Sequence, residues 1–125
     1  MGKRYLLDTN TILDYMGNKL SSKSRVALAK IIDDEIIISV INKIELLGFA
    51  KVEQDLIDFV NCSNICPMGD DIVEKTIEVR RLFKIKLPDA IIAATALYYG
   101  FSLVTNNTKD FNNIAGLEVV NPHKM

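Results

Sequence analysis

The sequence predicts an α/β domain with a small, mainly parallel sheet of four or five strands flanked by helices. Short apolar runs alternate along the chain with segments whose apolar residues recur every three or four positions. The run Ile36-Ile37-Ile38 is β-branched and apolar on both faces, as a central parallel strand is. The 125 residues are 49% hydrophobic and 25% charged, which suits one core and one domain over 1–125.

Tyr5-Leu6-Leu7 reads as the first strand and ends at Asp8. Ile12, Leu13 and Met16 then recur at helical spacing, and Gly17 closes that piece. A second helix fits 22–33, with Val26, Ala29 and Ile32 on its apolar side and Ser22 as N-cap. The second strand covers 35–38. Ile41, Ile44 and Leu47 carry a helix to about Lys51, a short helix covers 55–60, and a weak strand sits near Ile65. The longest amphipathic helix spans 70–85, with Ile72, Val73, Ile77, Val79, Leu82 and Phe83 as its apolar side. Pro88 lies in the first turn of the next helix, where its missing N–H costs nothing, and Gly100 stops that helix. A strand at 102–104, a helical turn around 109–114 and a strand at 117–120 follow.

Scarce residues exclude several chemistries. The single histidine, His123, leaves no His-rich zinc site, and a Ser-His-Asp triad could use only that residue. Cys62 and Cys66 are too few for a disulfide scaffold or a four-thiolate zinc site, and read as reduced packing residues. The opening MGKRYLLDTN has no signal-peptide core and no myristoylation pattern. The longest near-apolar run, 90–99, is too short to span a bilayer. A cytoplasmic protein without a membrane partner is expected.

What remains is oxygen chemistry. Asp8 ends the first strand, Asp89 opens a nearly all-apolar helix, and Asp110 lies just beyond the strand at 102–104. Glu45 is embedded in IELLGFA. Each has a plain alternative: Asp8 as a helix cap, Asp89 as a charge favoured by the helix dipole, Glu45 as an outward partner of Lys43 or Lys51. Together, four acids without a His or Cys ligand set point to a hard divalent cation, Mg2+ or Mn2+. Such a cation offsets the repulsion among carboxylates and supports phosphodiester cleavage.

LLDTN at 6–10, the glutamate of INKIELLGFA, LPDAIIAATAL at 87–97 and LVTNNTKDF at 103–111 occur in this order over essentially the whole chain. The pattern resembles the PIN-domain family of ribonucleases, and within it the VapC-type toxins of toxin–antitoxin pairs. The resemblance implies a PIN-like fold, with Asp8 and Asp89 as main metal ligands and Glu45 and Asp110 completing a catalytic site. Thr105 and Asn107 would support that site by hydrogen bonds, with Thr9 and Asn10 as structural helpers. Asn107 departs from the acid that many relatives carry nearby, which leaves open one metal or two. The resemblance further implies RNA as substrate, a small antitoxin as partner, and a homodimer.

A haloacid-dehalogenase-like phosphatase using Asp8 as nucleophile is an alternative, but Asn10 stands where its second acid belongs and its motif order is reversed. A non-catalytic PIN-like binding module is another, although all four acids are present. The basic set Lys75, Arg80, Arg81, Lys84 and Lys86 reads either as a solvated helix face or as a phosphate-binding rim, with Arg80, Arg81, Lys84 and Lys86 as RNA contacts. Tyr98 and Tyr99 read as core and rim. The net charge of -1 does not exclude RNA. Setting four of the 16 acids aside leaves 15 basic residues against 12 acidic ones.

Overall fold

The computed structural model describes residues 2–125. The elements run β1 (Tyr5–Leu7), α1 (Thr9–Met16), α2 (Ser22–Asp34), β2 (Ile37–Ser39), α3 (Val40–Leu47), α4 (Gln54–Asn61), β3 (Asn64–Cys66), α5 (Asp70–Leu82), α6 (Leu87–Tyr99), β4 (Ser102–Val104), α7 (Thr108–Phe111) and β5 (Val119–Val120), with a final 3-10 turn at Pro122–Lys124. Among the described residues the five strands form one sheet in the order β3-β2-β1-β4-β5, and each neighbouring pair is parallel. The chain builds outward from β1 to one side, then returns to build β4 and β5 on the other. The β1/β4 junction is therefore the switch point, where open parallel sheets place their sites beyond the strand ends.

Alternation along the strands divides the core into two layers. Leu6, Ile37 and Leu103 face Ile92, Ala93 and Ala96 of α6, with Phe101, Phe111 and Ile114. Leu7, Ile38 and Val104 face Ile12, Leu28, Leu46 and Val60 of α1 to α4. Both faces are covered, which is why the strands read as unbroken apolar runs. Helix α6 lies in the middle, with Ala90–Ala96 buried throughout, and α5 packs on its outer side through Val79 against Ala90 and Ala94. Among the described residues no helix is long and apolar enough to cross a membrane.

Several boundaries differ from the sequence expectation. Ser21, not Ser22, caps α2, with its hydroxyl accepting from the Ser24 N–H at 3.2 Å. Leu28 is that helix's anchor, and Val26 is 58% exposed. Strand β2 starts at Ile37, because Glu35 is still the C-cap of α2, its N–H donating to the Ile31 carbonyl at 3.0 Å, while its carboxylate makes a two-pronged contact with the Arg4 guanidinium at 2.9 and 2.7 Å. Helix α3 stops at Gly48 rather than near Lys51, and Ile44 faces solvent. Helix α5 ends at Leu82, its buried stripe being Ile72, Thr76 and Val79, while Ile77 and Leu82 are exposed. Only 108–111 of the last turn are helical, and β5 keeps only Val119 and Val120. Cys62 is exposed rather than packed. Cys66 is half-buried against the Leu6 layer, and burial pushes its thiol pKa up. Tyr98 and Tyr99 are both exposed, Tyr99 stacking on Phe101 with ring centroids 5.4 Å apart.

Gly100 ends α6 in the left-handed region, with φ +74° and open space where a Cβ would lie. The cost of alanine there is therefore one of backbone only. Gly100→Ala is expected to lose about 1 kcal/mol in urea denaturation, and Gly100→Asn less. Leu103→Ala, emptying a fully buried position, is expected to lose about 2–5 kcal/mol.

Candidate active site

The register of the sheet creates the centre of the site. Leu7 pairs with Val104, so the residues that follow them, Asp8 and Thr105, lie side by side at the switch point. The Asp8 N–H donates to the Val104 carbonyl at 3.0 Å, continuing the ladder by one step. The Asp8 carboxylate then turns to cap α1, accepting from the Thr9 N–H on Oδ1 at 2.9 Å.

Asp8 is only 5% exposed, so its carboxylate needs partners. Thr105 supplies the shortest bond, Oγ1 to Asp8 Oδ2 at 2.8 Å. The Asn10 side-chain amide reaches the same oxygen at 3.3 Å and Thr105 Oγ1 at 3.1 Å. From α3, Asn42 Nδ2 donates to Asp8 Oδ1 at 3.2 Å. Asn42 is itself held by the capping box that opens α3, its Oδ1 accepting from the Ser39 N–H at 2.9 Å. Four donors from three separate segments thus fix one carboxylate.

The other acids attach to this centre. Glu45 lies one turn beyond Asn42 on α3, is exposed, and accepts from the Thr9 hydroxyl at 2.7 Å. Thr9 Oγ1 in turn accepts from Asn42 Nδ2 at 3.1 Å. Among the described residues Glu45 pairs with neither Lys43 nor Lys51. Asp110, exposed on α7, accepts from Asn107 Nδ2 at 2.9 Å, and the Asn107 N–H donates to Thr105 Oγ1 at 3.1 Å. Asp89 is the third residue of α6 and half-buried. Burial, then the charges of Asp8, Asp110 and Glu45, push its carboxyl pKa up, with Lys86 opposing. All three other acids therefore stand within electrostatic reach of Asp89.

As placed, no three of the described His, Cys, Asp or Glu side chains are close enough together to chelate one ion. The chemistry of the set still fits a hard cation. Its donors are all carboxylate oxygens, and a divalent charge would relieve the repulsion that adds to burial in raising Asp89. Arg80, Lys84 and Lys86 line a cavity of about 470 Å³ that includes Asp110. Arg81 also lines a groove on the outer side with Asp71 and Glu74, and Lys75 is paired with Glu78 at 3.3 Å.

Asn42 was not among the residues expected at the site. Its signal is Ser39-x-x-Asn42 directly after a strand, a capping-box spacing that buries a side-chain amide at a strand end. Asn106 is a second addition. Its N–H donates to Asn10 Oδ1 at 3.0 Å, so the segment after β4 is tied to α1.

This chain belongs to the PIN domain family, whose profile matches residues 5–117. It is 30% identical to Ribonuclease VapC1 of Rickettsia felis, over 92% of this chain and 93% of that relative. Among solved structures it is similar to a toxin–antitoxin complex from Klebsiella pneumoniae, with a TM-score of 0.75, 34% identity, and coverage of 94% of this chain and 97% of the other. It is also similar to VapBC2 from Rickettsia felis bound to a DNA fragment from their promoter, with a TM-score of 0.72, 27% identity, and coverage of 92% and 96%.

The raised Asp89 pKa has a sign that can be checked. Its charged form is disfavoured in the folded state, so folding is penalised once pH exceeds the ordinary carboxylate range, and the penalty disappears below it. In EDTA, Asp89→Asn is expected to raise the melting temperature at pH 7 and to leave it near wild type at pH 3. A lower melting temperature at pH 7 contradicts this. Thr105→Val, which leaves buried Asp8 Oδ2 short of a donor, is expected to cost about 1–3 kcal/mol by urea denaturation.

Proposed function

We propose that this chain is a VapC-type ribonuclease toxin, an endoribonuclease that depends on Mg2+ or Mn2+ and is restrained by a small antitoxin protein. The observation that carries this reading is the site itself: a buried, four-times hydrogen-bonded Asp8 at the switch point, with a second acid, Asp89, whose pKa is pushed up first by burial and then by the charges of the other three. Family membership supports a nuclease. The solved relatives support an antitoxin partner, since they are a toxin–antitoxin complex and a VapBC assembly. The homodimer implied by the family resemblance and a cytoplasmic location belong to the same proposal.

The residues that would hold the cation are Asp8 and Asp89, completed by Glu45 and Asp110. When bound, a divalent cation would supply a water of lowered pKa and positive charge beside the scissile phosphate. The chain's own contribution is orientation. Asn42, Asn10 and Thr105 lock the Asp8 carboxylate in one rotamer, so that ordering cost is met during folding. Thr9 aims Glu45, and Asn107 aims Asp110. Arg80, Lys84 and Lys86, with Arg81 beside them, would bind the flanking phosphates of the RNA next to Asp110.

Purified protein incubated with RNA and Mn2+ is expected to cleave internally, and EDTA or Asp8→Asn to abolish cleavage. Cleavage that survives either overturns the proposal. Release of phosphate from a small monoester with RNA left intact favours the phosphatase alternative. Lys84→Ala with Lys86→Ala is expected to raise KM for RNA severalfold and to flatten its salt dependence, with kcat little changed.

A further inference from the structure

The one histidine of the chain lies at the opposite end of the sequence from Asp8, yet a continuous hydrogen-bond path joins the two. His123 Nε2 is 2.8 Å from Asp14 Oδ2. The same Asp14 oxygen accepts from Asn106 Nδ2 at 3.1 Å. The Asn106 N–H donates to Asn10 Oδ1 at 3.0 Å, and Asn10 Nδ2 donates to Asp8 Oδ2 and to Thr105 Oγ1. Because a carboxylate only accepts, His123 Nε2 carries the hydrogen in this contact.

Helical spacing explains the path. Asn10 and Asp14 are four residues apart on α1 and share one face. That face clamps Asn106 at two points, backbone on Asn10 and side chain on Asp14. Asn10 has no freedom left: its Oδ1 is occupied by the Asn106 N–H, and its Nδ2 is aimed at Asp8 and Thr105. The outer end of the clamp is the 3-10 turn, where Asn121 Oδ1 accepts the His123 N–H at 3.0 Å and Pro122 is buried. Asn121 directly follows β5, which is paired to β4, so His123 is presented from the same sheet that presents Thr105. The Asp14 side chain is only 17% exposed, and a single His123 bond shares its Oδ2 with the bond that orders Asn106.

We propose that His123 and Asp14 are positioning residues for the site: through Asn106 and Asn10 they fix the rotamer of the Asp8 carboxylate. Neither touches the reacting groups. The effect on turnover rests on the nuclease reading, whereas the effect on the Asp8 carboxylate does not.

The test uses the full chain in three variants: His123→Ala, His123→Gln, whose amide can replace the Nε2 donor, and Lys124→Ala as a neighbouring control. The His123 side chain is 41% exposed, so none of these empties the core. Two readouts are taken: NMR of the Asn10 and Asn106 side-chain amides and the Asp8 carboxyl carbon, and RNA cleavage with Mn2+. In His123→Ala the three signals are expected to move and kcat to fall roughly tenfold with KM unchanged, the scale seen for groups behind first-contact ligands. His123→Gln is expected to restore both, and Lys124→Ala to change neither. Unmoved Asp8 and Asn10 signals in His123→Ala, a change in KM alone, or failure of His123→Gln to restore them overturns the proposal. If wild type cleaves no RNA, the nuclease reading fails. The positioning proposal is then decided by the NMR signals alone, movement supporting it and constancy overturning it.

Discussion

A carboxylate buried at the end of the middle strand must be fully hydrogen-bonded, and much of this structure serves that requirement. Asp8 collects donors from its own helix start, from α3 and from the segment after β4. Those three segments meet only because β1 lies between β2 and β4 in a parallel sheet. Strand order brings these donors together, and the capping of α1, the box that opens α3 and the turn after β4 then serve the one carboxylate. Removing any single donor leaves the others poorly placed to compensate, since each is fixed by a further bond.

The electrostatics follow from the same geometry. Asp89 is drawn inward by a buried helix, and that burial, with repulsion from the three other acids beyond the carboxyl ends of the strands, raises its pKa. The fold compensates locally, with Lys86 beside Asp89 and with Arg80 and Lys84 around the cavity that reaches Asp110. A net charge of -1 for the whole chain conceals this local separation of an acidic floor from a basic wall.

Much of this was legible in the sequence, for physical reasons. Strands buried on both faces announce themselves as β-branched runs, so β1, β2 and β4 could be placed within two residues. A helix buried all round announces itself as LPDAIIAATAL, which made an acid at its start conspicuous. Surface positions were less legible. Ile44, Ile77 and Leu82 match helical spacing but face solvent, because periodicity alone does not say which side of a short helix meets the core. Asn42, Asn106 and Asp14 were silent for another reason. Polar residues that act through hydrogen bonds to distant segments have no local pattern, and only Asn42 left one, in its spacing from Ser39.

The central claim is that Asp8 is held ready as the principal ligand of a divalent cation. Isothermal titration of Mn2+ into wild type, Asp8→Asn and Asn42→Ala tests it most directly. The account predicts saturable binding by wild type, loss of that binding in Asp8→Asn, and roughly tenfold weaker binding in Asn42→Ala. Equal Mn2+ affinity in wild type and Asp8→Asn would contradict it.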